Sequence, residues 1–435
     1  MRIRDRLIKG TTLSLIAVAF NQGSTLIVNI IIARILIMQT FGEYAMVQST
    51  LLTVATLSQF AIGSTASKYI AEYRSSDPER TGRIMGLCAV ISLVMAGLGA
   101  FLLIAMAPWL ANTMLKAPHL AVAIIIGSGF LFFFSLHGYQ TGALSGLEAY
   151  GSLAKAGVAS GVVAVVAISL GAWWGGLNGS IIGLSISAFA RCVIHNRWLR
   201  LETRKQGLKP QYHGSMSQEI AIIFNFALPA ALAGCYSFPM VWLANSFLIQ
   251  QQNGYEEMAL YASATAVKQL VLFIPQVINS VSLSVLNNFR GKMDEQGYKR
   301  VYKANIWIVI GITLPVGLFL GLFGDVILGV FGKDYRGGKM LLQILMISTI
   351  FESLAVSLYQ HIQSQGKIWT TLFLINIPKE AVFAGLAFIL VPTQGAIGLG
   401  WAYTICLLWT LAIVGILVYH DRANRKEYLS GVPLR

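Results

Sequence analysis

Apolar stretches of about 20 residues follow one another along the whole chain, separated by short polar breaks. Each is long enough to cross about 30 Å of hydrocarbon as a helix. The pattern predicts twelve helices, near 10–34, 41–67, 84–107, 120–142, 153–174, 177–196, 220–247, 259–288, 304–328, 339–364, 368–391 and 394–419. Spans five and six part at Gly175-Gly176, and spans eleven and twelve at Pro392-Thr393. Pro229, Pro239 and Pro275 interrupt spans seven and eight, where kinks are expected. The first run follows a basic start but outlasts a signal peptide's apolar core and has no small-residue cleavage pattern. It reads as a retained helix.

The second half of this pattern repeats the first about 217 residues on. Tyr44-Ala45 answers Tyr261-Ala262, Gln59 answers Gln276, Thr65 answers Ser282, Ser67 answers Ser284, and Arg83 answers Arg300. A shift of 220 aligns Tyr139-Gln140 with Tyr359-Gln360 and Gly146 with Gly366. Duplicated membrane spans are a signature of transporters. Six spans per half bring both halves in from the same side, so the copies are parallel rather than inverted. The reading is an all-α polytopic membrane protein with twelve transmembrane helices in two parallel-repeat six-helix lobes. The lobes are residues 1–196 and 220–419, with a cytoplasmic linker at 197–219 and a cytoplasmic tail at 420–435.

Composition agrees with that class. The chain is 56% hydrophobic and 11% charged, where a soluble domain carries roughly 25% charged residues. With the N-terminus in the cytoplasm, twenty-five of the 32 Lys and Arg fall on inner segments. This is the positive-inside bias, and it places both termini in the cytoplasm. The net charge of +14 is therefore mostly topology, with attraction to anionic membrane lipids as a second effect. The basic residues stand in short loops beside apolar helices, so no nucleic-acid partner is expected.

Catalytic chemistry is missing from the pattern. There is no GxxxxGK[ST] loop for nucleotide hydrolysis, no HExxH and no nucleophile elbow. Cys88, Cys192, Cys235 and Cys406 fall in apolar spans at spacings that suggest neither a metal nor a disulfide. No catalytic residue, metal or cofactor is expected. Gly142/Gly146, Gly157/Gly161 and Gly175/Gly179/Gly183 stand four apart, the spacing that lets helix backbones approach in lipid. Asn178-Gly-Ser180 matches a glycosylation sequon at a bare turn and reads as chance.

The sharper signals are charges inside spans, each costing about 2.5–3.5 kcal/mol or more at a helix centre. Lys268 lies in span eight, Glu352 in span ten, and Lys379 and Glu380 in span eleven. Glu352 and Lys379 stand about 16–18 Å above the inner ends of their spans, and Lys268 about 13 Å below an outer end. Two readings are open. The four form ion pairs tying helices together, Lys379 with Glu352 and Lys268 with Glu380; or the lysines line a cationic cavity for an anionic substrate, with the carboxylates positioning them or exchanging protons. Arg34 lies near the outer end of span one, where it can snorkel, and Glu43 is placed to pair with it. Asn21, Gln22 and Gln59 are mid-span polar residues suited to interhelical hydrogen bonds or to a polar cavity wall.

Short motifs add a family resemblance. The stretch from Arg34 through Phe41-Gly42-Glu43 to Tyr44, and the stretch from Ala61-Ile62-Gly63 to Ala71-Glu72, resemble the borders of span two in polysaccharide transporters. Ala143–Glu148 and Gln365-Gly366-Lys367 resemble that family's short inner turns, and Gly395–Gly398 the start of its final span. The family is the Wzx-like O-antigen flippase group of the multidrug/oligosaccharidyl-lipid/polysaccharide exporter superfamily. The resemblance implies a MATE-like pair of lobes around a central cavity in the bacterial inner membrane, working by alternating access. It also implies a polyprenyl-pyrophosphate-linked oligosaccharide as cargo, with a polysaccharide polymerase and chain-length proteins as partners. The pyrophosphate suits Lys268 and Lys379. A multidrug antiporter of this superfamily tends to carry acidic residues in its first-lobe spans, and span one here has none. Lipid II flippases usually have two further spans. A membrane glycosyltransferase needs a large outer loop with catalytic acids, and the outer loops are about ten residues long.

Overall fold

The computed structural model describes residues 3–212, 219–234, 236–292, 294–364 and 371–430. All regular structure among these residues is helical. The helices are α1 Ile3–Ile35, α2 Met38–Gln59, α3 Ile62–Tyr73, α4 Pro78–Trp109, α5 Leu120–Gly146 and α6 Tyr150–Lys205. They continue as α7 Leu228–Gly234, α8 Ser237–Ile249, α9 Gly254–Gly291, α10 Glu295–Leu322, α11 Gly324–Gly329, α12 Lys339–Gln363 and α13 Ile377–Ser430.

Nine helical stretches among the described residues are long and apolar enough to cross a membrane. Two of them each contain two helices. The 56-residue α6 turns back at Gly175-Gly176, and the 54-residue α13 turns at Gly395. Counting these halves separately, and adding the 33-residue α1, recovers the twelve spans of the hydropathy pattern. Large apolar side chains that face outward, such as Phe101, Trp173, Trp174 and Phe388, are what a lipid-facing surface requires.

The chain forms two compact units, residues 1–259 and 260–435. In the first unit, buried Ile62, Ile70, Ile84, Met85 and Leu144 form a core that joins α3, α4 and α5. Glycines set the spacing there. A Cβ on Gly142 would lie 1.9 Å from the Gly63 carbonyl oxygen, and one on Gly146 would lie 2.9 Å from that of Ser67. Only glycine permits such contacts, as the four-residue spacing suggested. Within α6, Gly179 and Gly171 face each other with similar closeness across the Gly176 turn, and Gly183 faces Ala167.

Span eleven departs from the expectation at its end. Pro392 lies inside α13, and the chain turns instead at Gly395, with φ 56° and ψ −134°. A proline tolerates φ near −65° but cannot supply a positive φ; glycine can. Span two departs as well. The pattern predicts one helix over 41–67, but α2 and α3 are separated by Phe60 and Ala61, both left-handed at φ 46° and 52°. The break re-aims the chain so that Gly63 can meet α5 at Gly138 and Gly142. Pro239 sits in the first turn of α8, where a missing N–H costs no intrahelical bond. Pro275 lies within a continuous α9. Cys235, Gly366 and Lys367 fall outside the described residues.

Candidate functional site

The second unit gathers the mid-span charges. Lys268 from α9 is only 4% exposed. Its Nζ lies 3.0 Å from Glu352 Oε2 on α12 and 3.6 Å over the ring of Tyr403 on α13. The Tyr403 hydroxyl donates to the same Glu352 oxygen at 2.9 Å. Phe383 packs edge-on against Tyr403 at 5.7 Å, fixing the ring. A buried ammonium needs this much company: a carboxylate for its charge and an aromatic face for the side the carboxylate leaves open.

Lys379 and Glu380 form the second pair, Nζ to Oε1 3.2 Å, on the first turn of α13. Glu380 is buried, while the Lys379 side chain is 29% exposed. Cys406 donates its thiol proton to the Lys379 carbonyl. The pairing expected from sequence, Lys379 with Glu352 and Lys268 with Glu380, is therefore replaced by Lys268 with Glu352 and Lys379 with Glu380. Adjacency on one helix decides the second pair, and the meeting of α9, α12 and α13 decides the first. Two cations and two carboxylates leave the cluster formally neutral, and Lys379 and the Glu352 carboxylate (22% exposed) are its accessible members.

The remaining residues singled out from sequence lie in the first unit. Arg34 is exposed in the last turn of α1. Glu43 is buried; Gln39 donates to it at 3.4 Å, and His119 Nε2 stands 3.2 Å from it. Asn21 and Gln22 are half-buried on α1, and the Thr25 hydroxyl donates to the Asn21 carbonyl. Gln59 donates to the Phe134 carbonyl at 3.4 Å, joining α2 to α5 at the break in span two. Among the described residues no group of His, Cys, Asp and Glu is placed to hold a metal ion.

Three arrangements gave no sequence signal. Tyr403 has no charge or motif to mark it. His119 lies outside the apolar runs and meets Glu43 only through the fold. The third is a polar network below the ion pairs: Asn305 donates to Asn279 at 2.8 Å, Ser357 donates to Asn279 at 3.0 Å, and the Gln360 amide donates to the Asn279 carbonyl. Gln360 was visible only as the repeat partner of Gln140.

The chain carries the fold of MATE-family transporters. The chain superposes on an inward-facing MATE-family multidrug resistance transporter with a TM-score of 0.77, at 16% identity, covering 95% of this chain and 96% of the other. It superposes on a superfamily transporter from Pyrococcus furiosus, described as having a binding pocket of reverse polarity, with a TM-score of 0.71 at 16% identity, covering 97% and 96%. Residues 7–286 match the polysaccharide biosynthesis protein family, and residues 229–378 match the MatE family. The chain belongs to the polysaccharide biosynthesis protein family. It is 23% identical over 427 residues to the EPS I polysaccharide export inner membrane protein EpsE of Ralstonia nicotianae, covering 93% of this chain and 92% of that one. The EpsE of Ralstonia solanacearum is 22% identical over 399 residues, covering 88% and 85%.

Proposed function

We propose that this protein is a polysaccharide exporter of the inner membrane that flips polyprenyl-pyrophosphate-linked oligosaccharide units by alternating access. The family match and the two export relatives support the class of cargo. The observation that carries the finer reading is the pair of lysines on helices apolar enough to cross a membrane, each beside a carboxylate.

A pyrophosphate crossing hydrocarbon must have its charge matched, and ammonium groups do this as point charges. With the cavity empty, Glu352 and Glu380 provide that match for Lys268 and Lys379. Cargo replaces the carboxylates as partner. A proton arriving on Glu352 frees Lys268 for phosphate, and its release restores the pair, which is a route to coupling with an ion gradient. Arg34 and Glu43, with Asn21, Gln22 and Gln59, are the first lobe's candidates for contacts to the sugar and for charge pairing. Polymerase and chain-length proteins would receive the product.

The test is translocation of lipid-linked oligosaccharide in vesicles by the Lys268→Gln/Lys379→Gln protein. Loss of flipping at normal protein level is the expected result; unchanged flipping would refute the role of the lysines. For topology, reporters fused after residues 205 and 252 are expected on opposite sides of the membrane, with both termini cytoplasmic.

A further inference from the structure

The C-terminal end of α6 borders two adjoining cavities. One, of about 310 Å³, is bordered by Val193, Arg197, Leu201 and Arg204. The other, of about 280 Å³, lies between α4, α5 and α6 and is closed by Pro210 and Tyr212 of the linker. Asn196 and Arg200 border both. We infer that this double cavity binds an anionic phospholipid with a hydroxyl-bearing headgroup, its phosphate held by Arg200 and Asn196.

Charge points to an anion. Arg197, Arg200 and Arg204 recur at helical spacing along one exposed face. The nearest acid in sequence, Glu202, is engaged elsewhere: it accepts from Ser152 at 2.7 Å and from Lys205 at 2.8 Å. The three guanidinium groups thus meet an incoming phosphate without a carboxylate competing from their own helix, and a guanidinium fork matches phosphate oxygens in pairs.

Position points to a lipid rather than a free ion. Asn196 closes the apolar run of span six, and Arg200 stands one turn beyond it, about 6 Å along the axis. That is the depth of phospholipid phosphates. Val193 flanks the first cavity and Leu93 the second, and both are exposed apolar side chains on the span side of Arg200, where acyl chains would lie. Apolar walls on both sides of one phosphate site suit a two-chain lipid.

The headgroup follows from Gln140. This side chain is 6% exposed and lines the second cavity. Its amide donates to Cys192 Sγ at 3.2 Å, but its carbonyl oxygen Oε1 is buried with no partner. A buried acceptor left unmatched costs about 1–3 kcal/mol, and a headgroup hydroxyl reaching into the cavity would satisfy it. Phosphatidylglycerol offers such hydroxyls; phosphatidylcholine offers neither these nor a net charge.

The experiment compares the purified full chain in nanodiscs of phosphatidylglycerol, of phosphatidic acid and of phosphatidylcholine, reading melting temperature and the lipid retained in native mass spectrometry. The wild type is expected to keep phosphatidylglycerol and to melt higher with it. Arg200→Gln should weaken retention about fivefold, and Arg197→Gln/Arg200→Gln/Arg204→Gln on the order of a hundredfold, from the attraction of each basic residue to an anionic surface. Gln140→Leu, which removes the unmatched acceptor and keeps every charge, should lower the preference for phosphatidylglycerol over phosphatidic acid. The control is Lys299→Gln/Arg300→Gln/Lys303→Gln, another basic cluster. Equal loss in the control would mean diffuse attraction and overturn the site. An equal melting shift from inorganic phosphate in phosphatidylcholine nanodiscs would overturn the lipid.

Discussion

Gly176 and Gly395 adopt nearly the same backbone conformation, φ 56°, ψ −130° and φ 56°, ψ −134°, at positions 219 residues apart. The match extends to their neighbours. A Cβ on Gly179 would lie 2.0 Å from the Gly171 carbonyl oxygen, and one on Gly398, again 219 further on, would lie 2.3 Å from that of Leu390. The same hairpin of two spans closes each half of the chain.

Ala is excluded from both turns by its Cβ. Gly176→Ala and Gly395→Ala are each expected to cost about 1–3 kcal/mol of local strain. Both should lower the melting temperature in detergent by similar amounts, whereas Gly175→Ala, where a Cβ meets nothing within 4 Å and φ is negative, should change it little. A large difference between the two turn variants would argue against equivalent hairpins.

Phe60 and Ala61 carry the opposite situation, left-handed backbone in residues that pay for it sterically. Each such residue costs about 1–2 kcal/mol. Ala61→Gly is therefore expected to raise the melting temperature if the break stays as it is. A drop would show that loss of the Ala61 side chain, or added freedom of the unfolded chain, outweighs the strain.

Lys268 and Glu352 should behave as one unit in stability. Lys268→Met alone leaves a carboxylate in an apolar setting, and Glu352→Gln alone leaves a buried ammonium. Each is expected to cost roughly 1–3 kcal/mol, reduced from the fully buried case because Glu352 is partly exposed. The double variant should cost less than the sum of the two, and a thermal double-mutant cycle measures the difference. Additive losses would mean that the pair is not coupled.

Glu219 ties the far end of the linker to α4, accepting from Arg80 at 3.1 Å and from Arg83 at 3.4 Å while only 5% exposed. On the near side, Gln211 donates to the Gly82 carbonyl, and a Cβ on Gly82 would lie 2.3 Å from the Lys209 carbonyl oxygen. Glu219→Gln removes the charge that holds both arginines. Faster cleavage between residues 205 and 219 by added trypsin is expected; an unchanged cleavage rate would show that the Gly82 contact suffices.

The membrane class, the span count, the doubling and the glycine contacts were all legible in the chain. Hydrocarbon imposes about 20 apolar residues per crossing whatever the neighbours are, and close helix packing demands small residues at fixed spacing. Both requirements are local, so sequence records them. The mid-span charges were legible for the same reason: Lys268, Glu352, Lys379 and Glu380 stand out because lipid cannot accept them.

Their partners were not legible. Which carboxylate meets Lys268 depends on how α9 and α12 are rotated toward each other, and Tyr403 joins them from the part of α13 that follows the Gly395 turn. His119 reaches Glu43, and Glu219 reaches Arg80, across 76 and 139 residues of sequence. Sequence alone determined that these charges lie in the membrane and must be matched, since burial cost is a property of each residue. Only the tertiary structure decided what matches them, because Coulomb attraction and hydrogen bonding act over a few ångströms between helices that the chain itself does not place side by side.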